Sequence, residues 1–246
     1  MRVLIVPDKF KGTLTATEAA EAIARGWSEA RPGDSFELLP MSDGGDGFGP
    51  VMSELIGASA RSVATIDAAG RARAAIYWLK ETDGIAVVET VQAIGLTLLP
   101  PGAFHPFALD TFGLGALFRA AAESGATLCY AGIGGSATND GGFGMARALG
   151  WKFLDRGGVE ILRWTELLQL NSIVAPETKL FNDLIIAVDV QNPLVGPQGA
   201  SRIYGPQKGL REQDLAKAEE ALGRLAEVMY QQFGVRYAEE PGTGAA

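Results

Sequence analysis

Three of the seven lysines, Lys9, Lys11 and Lys208, fall in glycine-bearing polar segments that follow apolar runs. Asp8, Asp43, Asp46, Asp140 and Asp189 lie in or at the edge of segments of the same kind. Ammonium groups beside backbone amides that glycine leaves open can neutralise a phosphate or a carboxylate. Two carboxylates can hold Mg²⁺ against substrate phosphates, because that ion takes oxygen ligands and keeps several waters. Another can accept the proton of an attacking hydroxyl. A plainer reading stands beside each assignment. Any one lysine can be a solvated surface charge, and Asp43 and Asp46, each followed by glycine, can be turn formers. Asp189 is the stronger case, because it closes the apolar run Leu184-Ile-Ile-Ala-Val188 and a charge ending a buried strand needs a partner or a ligand.

The elements that must position these groups are legible as an alternation of strands and helices. Val3 to Val6 reads as a strand covered on both faces. Thr15 and Glu18 have the spacing of a capping box, and the helix behind them sets Ala19, Ala20, Ile23, Trp27 and Ala30 on one stripe before Arg31-Pro32-Gly33. Phe36–Leu39 is the next strand. Residues 60–66, 72–79 and 85–90 form an antiparallel meander with turns at Gly70-Arg71 and Asp83-Gly84, expected in a different sheet. Helix 109–124, strand 127–131, helix 143–149, strand 151–155, strand 184–189 and helix 211–233 follow, the last burying Leu215, Ala218, Leu222, Leu225, Val228 and Met229. Five polar, glycine-rich segments (8–12, 42–47, 132–142, 189–192 and 196–209) follow expected strands. In a parallel α/β sheet the carboxyl ends of strands are where ligands bind, so the five segments are expected to share one cleft.

Segment 132–142 has two readings. Gly132, Gly134 and Ala137 satisfy G-x-G-x-x-A, and Asp155 closes the next strand, which outlines the dinucleotide fingerprint of an NAD(P)-dependent oxidoreductase. Thr138-Asn-Asp-Gly-Gly142 interrupts the helix that should begin within that pattern. A phosphate or substrate loop therefore fits better, with Gly134, Gly135 and Ser136 meeting a nucleotide. No G-x-x-x-x-G-K-[ST] occurs, so no P-loop holds one.

Composition bounds the alternatives. The 246 residues are 47% hydrophobic and 20% charged, enough for a core and against intrinsic disorder. A net charge of −8 argues against a general nucleic-acid or anionic-membrane binder. Cys129, alone in an apolar stretch, reads as a buried inert thiol, and a single histidine, His105, cannot build a multi-histidine metal site. The apolar run at the amino terminus is too short for a signal sequence, and no stretch approaches a membrane span, so a cytoplasmic protein is expected.

Five ordered motifs carry a resemblance over nearly the whole chain: Pro7-Asp-Lys-Phe-Lys-Gly-Thr-Leu14, Ser42-Asp-Gly-Gly-Asp-Gly47, Ile133-Gly-Gly-Ser-Ala-Thr-Asn-Asp-Gly-Gly142, Asp189-Val-Gln-Asn-Pro-Leu194 and Gly205-Pro-Gln-Lys-Gly209. Together they resemble the bacterial glycerate kinase family. The resemblance implies ATP- and Mg²⁺-dependent phosphorylation of D-glycerate. It also implies an α/β fold in which a Rossmann-like (flavodoxin-like) parallel-sheet domain, begun by residues 1–58, carries a nested second α/β domain over 59–246, and a further C-terminal portion beyond this chain. The chain departs from the family at Gly45-Asp46-Gly47-Phe48, where the acidic arm is shorter and a hydroxyl is lost, and at Gly113-Leu-Gly-Ala116, which lacks two polar groups. Matched positions are Asp8, Lys9, Lys11, Ser42, Asp43, Asn139, Asp140, Asp189, Asn192 and Lys208. On this reading Lys9, Lys11 and Lys208 meet phosphates or the substrate carboxylate, and Asp43 and Asp189 serve as metal ligands or base. Asp8, Ser42, Asn139, Asp140 and Asn192 bind and orient the small hydroxy acid. An oxidoreductase and a catalytically incomplete fragment are the alternatives.

Overall fold

A computed structural model describes residues 1–245. Strand β1 (Arg2–Ile5) leads through a polar loop into helix α1 (Ala16–Ala30), and β2 (Ser35–Leu38) returns parallel to β1. The capping box forms where its spacing predicts: Thr15 Oγ1 accepts from the Glu18 amide at 3.2 Å, and the Glu18 carboxylate accepts from the Thr15 amide at 2.8 Å. The apolar residues here are only partly covered. Ala16, Ala19 and Ala20 of α1 are buried, whereas Ile23 and Trp27 are exposed. In β1 only Ile5 is buried and Leu4 is exposed, so this strand is not covered on both faces as its apolar run implied. The β1–β2 pair has α1 packed against it and, among the described residues, no third strand.

Helix α2 (Phe48–Ile56) precedes the meander β3 (Ser59–Ile66), β4 (Ala72–Lys80) and β5 (Ile85–Glu89). Short helix α3 (Val91–Ile94) and helix α4 (Leu114–Glu123) lead to β6 (Leu128–Gly132), then α5 (Phe143–Ala148), the antiparallel pair β7 (Lys152–Asp155) and β8 (Leu170–Val174), and β9 (Asp183–Ala187). Helices α6 (Ala200–Ile203), α7 (Gly205–Lys208) and α8 (Glu212–Phe233) complete the order. The meander is separate from β1–β2, as expected, but it is continuous with the parallel strands. One five-stranded mixed sheet runs β3-β4-β5-β6-β9, antiparallel through β5 and parallel from β5 to β9.

Apolar periodicity fixes which faces close. Leu114, Leu117, Phe118 and Ala121 of α4 pack on Tyr77, Leu79 and Val88 of the sheet. Leu215, Ala218, Leu225 and Val228 of α8 close a second core over Phe153, Trp164, Leu167 and Ile173. Cys129 lies inside the first core, where burial pushes its thiol up to about 12 and leaves it unreactive. The α4 helix starts at Leu114, later than the 109–124 pattern indicates. A Cβ on Gly113 would stand 1.9 Å from the Ile66 carbonyl oxygen, so the chain crosses β3 there in a tight turn before the helix begins. Strand β9 is the edge of the sheet among the described residues, and Leu184, Ile185 and Ile186 are each exposed over more than two fifths of their surface. The inference that Asp189 ends a buried strand therefore does not hold. None of the helices among the described residues is long and apolar enough to cross a membrane.

The parallel register does the positioning. Glu89 of β5 pairs with Gly132 of β6, and Gly132 pairs with Ala187 of β9, so three strand ends lie at one level. The loops that leave them start from a common line.

Candidate functional site

Loop 42–47, which follows β2, crosses onto these strand ends. The Gly134 amide donates to the Gly44 carbonyl at 3.1 Å, and Gly44 sits against the end of β9, where an added Cβ would lie 2.5 Å from the Ala187 carbonyl oxygen. A Cβ on Gly134 would come within 2.9 Å of Gly45 Cα. Glycine is needed at both places because two backbones touch. Gly134→Ala is expected to keep the fold, shift the melting temperature by a few degrees at most, and part the two loops, lowering anion affinity about tenfold. Calorimetric titration with tripolyphosphate checks this, and unchanged affinity would show that the contact is incidental.

Charged groups are tied across the same junction. Lys9 Nζ donates to Asp43 Oδ1 at 2.7 Å and lies 3.8 Å from Asp8 Oδ1. The Asp43 carboxylate also accepts from the Gly45 amide at 2.8 Å, while Asp8 accepts from the Lys9 amide at 2.6 Å and from the Asp43 amide at 3.2 Å. Burial alone would raise the Asp43 carboxyl. The Lys9 hydrogen bond, the Gly45 amide and the nearby charges of Lys9 and Lys11 outweigh it and hold the group below the usual carboxylate range. On the far side, Lys208 at the end of α7 is buried, and its Nζ donates to Ser136 Oγ at 3.1 Å and to the Thr138 carbonyl. Burial pulls the Lys208 ammonium down to about 8, with Asp140 opposing. These groups enclose a cavity of about 500 Å³ whose walls carry Lys9, Lys11, Asp43, Asp46, Asp189 and Lys208, together with the turn Gly134-Gly135-Ser136. That size suits a nucleotide-sized ligand.

Four expected site residues are elsewhere. Asp140 is fully buried, and its Oδ2 accepts from the Thr111 amide, the Thr111 hydroxyl and the Gly144 amide at 2.8–2.9 Å. It ties the turn before α4 to the start of α5 and does not line the cavity. Asn139 is also buried, donating to Ser201 Oγ at 2.9 Å. Asn192 donates to the Gln198 carbonyl at 2.8 Å and accepts from the Tyr204 hydroxyl at 2.6 Å, so it places Tyr204 without facing the cavity itself. Ser42 accepts from the Gly44 amide at 3.3 Å within its own turn. None of the four lines the cavity, and each has polar groups engaged by neighbouring loops or by its own turn.

Asp8 borders a second hollow of about 380 Å³ on the other side of Lys9, together with Lys11, Thr13, Gln92 and Glu89. Sequence reasoning passed over Glu89. Its carboxylate is almost fully buried and accepts from the Gly47 amide at 3.1 Å and the Gly49 amide at 2.7 Å, which fixes loop 42–47 to the end of β5. Burial, reinforced by Asp46, raises its pKa. The signal was present, since Glu89 closes the apolar run 85–88 as Asp189 closes its own. Tyr204 was missed too. It lines the main cavity, and burial and the charge of Asp189 raise its hydroxyl pKa.

The lone histidine is structural. His105 Nδ1 accepts from the Phe107 amide, which leaves Nε2 to donate to Asp214 Oδ2 at 3.2 Å. The dinucleotide reading fails on topology: β7 pairs with β8 and not with β6, and Asp155 accepts from the Gly157 and Val159 amides in the turn between them. The acid of the fingerprint is thus absent from the strand that would present it to a ribose.

Strand-end loops that bring three lysines and three aspartates around one hollow define an α/β protein with a charged cleft at its strand ends. A model of the glycerate kinase family matches residues 3–246, and the chain belongs to that family. It is 38% identical over 252 residues to the glycerate kinase of Bacillus subtilis (strain 168), covering 100% of this chain and 65% of that protein. It is 38% identical over 250 residues to the glycerate 2-kinase of Escherichia coli (strain K12), covering 100% and 66%. The crystal structure of a candidate glycerate kinase 2 from Salmonella typhimurium LT2 superposes with a TM-score of 0.87 at 35% identity, over 100% of this chain and 67% of that one. The chain thus spans about two thirds of the length of the relatives it matches.

Proposed function

We propose that the cleft transfers the terminal phosphoryl group of ATP to a hydroxyl of glycerate or a closely similar small hydroxy acid. The observation that carries this reading is the Lys9–Asp43 pair facing Lys208 and Ser136 across one cavity. Phosphoryl transfer needs positioning and charge neutralisation more than covalent participation by the protein. Lys9 and Lys11 on one wall and Lys208 on the other suit that task, and the Gly134-Gly135-Ser136 turn brings backbone close to a phosphate. Relatives named as glycerate kinases support the acceptor class. We also read residues 1–58 as the opening of a Rossmann-like domain and 59–246 as the nested second domain.

The donor set fits Mg²⁺. Asp43 and Asp189 both face the cavity. That is the pattern of an ion held by one or two carboxylates and completed by phosphate oxygens and water. Bound there, it would offset negative charge on the phosphates. Asp46, in the wall shared by the cavity and the second hollow, is placed to accept the proton of the attacking hydroxyl.

A coupled ADP-release assay of the 246 residues across small hydroxy acids tests the reading. Glycerate-dependent turnover is expected, and Asp46→Asn is expected to lower kcat about a hundredfold with little change in KM for ATP. ADP release that ignores every hydroxy acid would refute the acceptor assignment.

A further inference from the structure

The main cavity has a second neighbour. A hollow of about 720 Å³ opens beneath residues 96–105, with Leu99, Pro100, Phe104 and Pro206 in its walls and Gln207 and Arg211 among the polar groups. It shares Leu96, Thr97, Gln207 and Lys208 with the main cavity. The polar hollow at residues 8–18 shares Lys9, Lys11, Gly12 and Asp46 with the same cavity from the opposite side. Three hollows therefore form one trough: at one end Leu99, Pro100, Phe104 and Pro206 with few charged groups, in the middle the lysines, and at the other a smaller hollow where Asp8, Lys9, Lys11, Asp46 and Glu89 stand among Phe10, Leu14 and Met41.

We propose that the apolar hollow beneath residues 96–105 is a nucleobase subsite, so that the nucleotide lies with its base there and its terminal phosphate toward Lys9 and the polar hollow. The inference rests on the phosphoryl-transfer reading and adds a direction to it. A nucleoside triphosphate is itself graded, with a flat, weakly polar ring at one end and concentrated charge at the other. Its ring buries favourably against leucine, proline and phenylalanine. Its rim hydrogen bonds can be met by the Gln207 amide and the Arg211 guanidinium. Its phosphates need the cations. The opposite orientation would put the ring against the exposed Lys11 and Asp46, stripping water from two charged groups with nothing to replace it. With the base on the Phe104 side, the polar hollow at residues 8–18 is left for the hydroxy acid, next to Asp46 and the terminal phosphate.

Calorimetric titration of the full chain with ATP and with inorganic tripolyphosphate separates the base from the phosphates. Wild type is expected to bind ATP at least tenfold more tightly than tripolyphosphate. Thr97→Trp, which fills the passage between the two hollows, and Phe104→Ala, which removes a wall, are each expected to erase that margin while tripolyphosphate affinity stays within twofold. Hydrogen exchange on the wild-type protein provides a second readout free of folding defects: ATP should protect residues 96–105, and tripolyphosphate should not. An ATP margin retained in both variants, or equal protection by both ligands, would overturn the nucleobase subsite while leaving the phosphate cleft intact. Failure of both ligands to bind wild type would overturn the phosphate cleft and the subsite with it.

Discussion

Lys9→Ala is expected to lower kcat/KM for phosphoryl transfer about a thousandfold, roughly 4 kcal/mol of transition-state stabilisation. Two losses combine. The ammonium proposed to face the transferred group disappears, and the Asp43 carboxylate loses the partner 2.7 Å away that helps hold it ionised and in place. The side chain of Lys9 is 11% exposed, so water only partly replaces it. Asp43 then rises from its lowered position, because burial still acts on it while the Lys9 hydrogen bond and charge are gone. A Lys9→Arg variant keeps the charge with a different reach and should recover part of the rate. Steady-state kinetics beside thermal unfolding checks the expectation. Turnover within threefold of wild type, with unchanged stability, would remove Lys9 from the site.

Lys208→Met should lower kcat/KM by a similar factor, and wild type should show a pH signature that the variant lacks. The ammonium is the charged form of lysine, and in the folded chain burial pulls it down to about 8. Below that pH the group is charged and attracts phosphate; above it the proton leaves and the attraction fades. Tripolyphosphate affinity should therefore fall about tenfold between pH 7 and pH 9 in wild type, while Lys208→Met binds weakly with a flat profile. Tyr204, the other titrating side chain on that wall, has its hydroxyl raised above its ordinary value and stays neutral over this range. Stability moves in the opposite direction. The folded-state pKa of Lys208 lies below the ordinary lysine value of 10.5, so the unfolded chain binds the extra proton between about 8 and 10.5, and this group's contribution to stability improves as pH rises through that window. Parallel pH profiles for wild type and Lys208→Met would exclude Lys208 as the source.

The alternation of strands and helices was readable because the apolar periodicity of α4 and α8 and the turn glycines at 70 and 84 act locally. What was hidden depends on pairing. The run Leu184–Val188 has the composition of a buried strand, and only the sheet order shows that β9 is an edge. The loop motifs located the cleft but did not sort its members. Lys9, Lys11, Asp43, Asp189 and Lys208 line it, whereas Asp140, equally acidic and embedded in the most glycine-rich motif, spends its oxygens on the Thr111 and Gly144 amides. A carboxylate that caps backbone amides and one that faces a ligand look alike in sequence. Their hydrogen-bond partners, such as Thr111, 29 residues from Asp140, tell them apart.

Crystals of the chain grown with a non-hydrolysable ATP analogue test most directly whether the separate loops surround one polyphosphate. Phosphate oxygens within hydrogen-bonding distance of Lys9 or Lys11 on one wall and of Ser136 or Lys208 on the other would meet the expectation. An analogue bound on another face of the molecule, with Lys9 still paired to Asp43 and Lys208 still held by Ser136 across an undisturbed cavity, would contradict it.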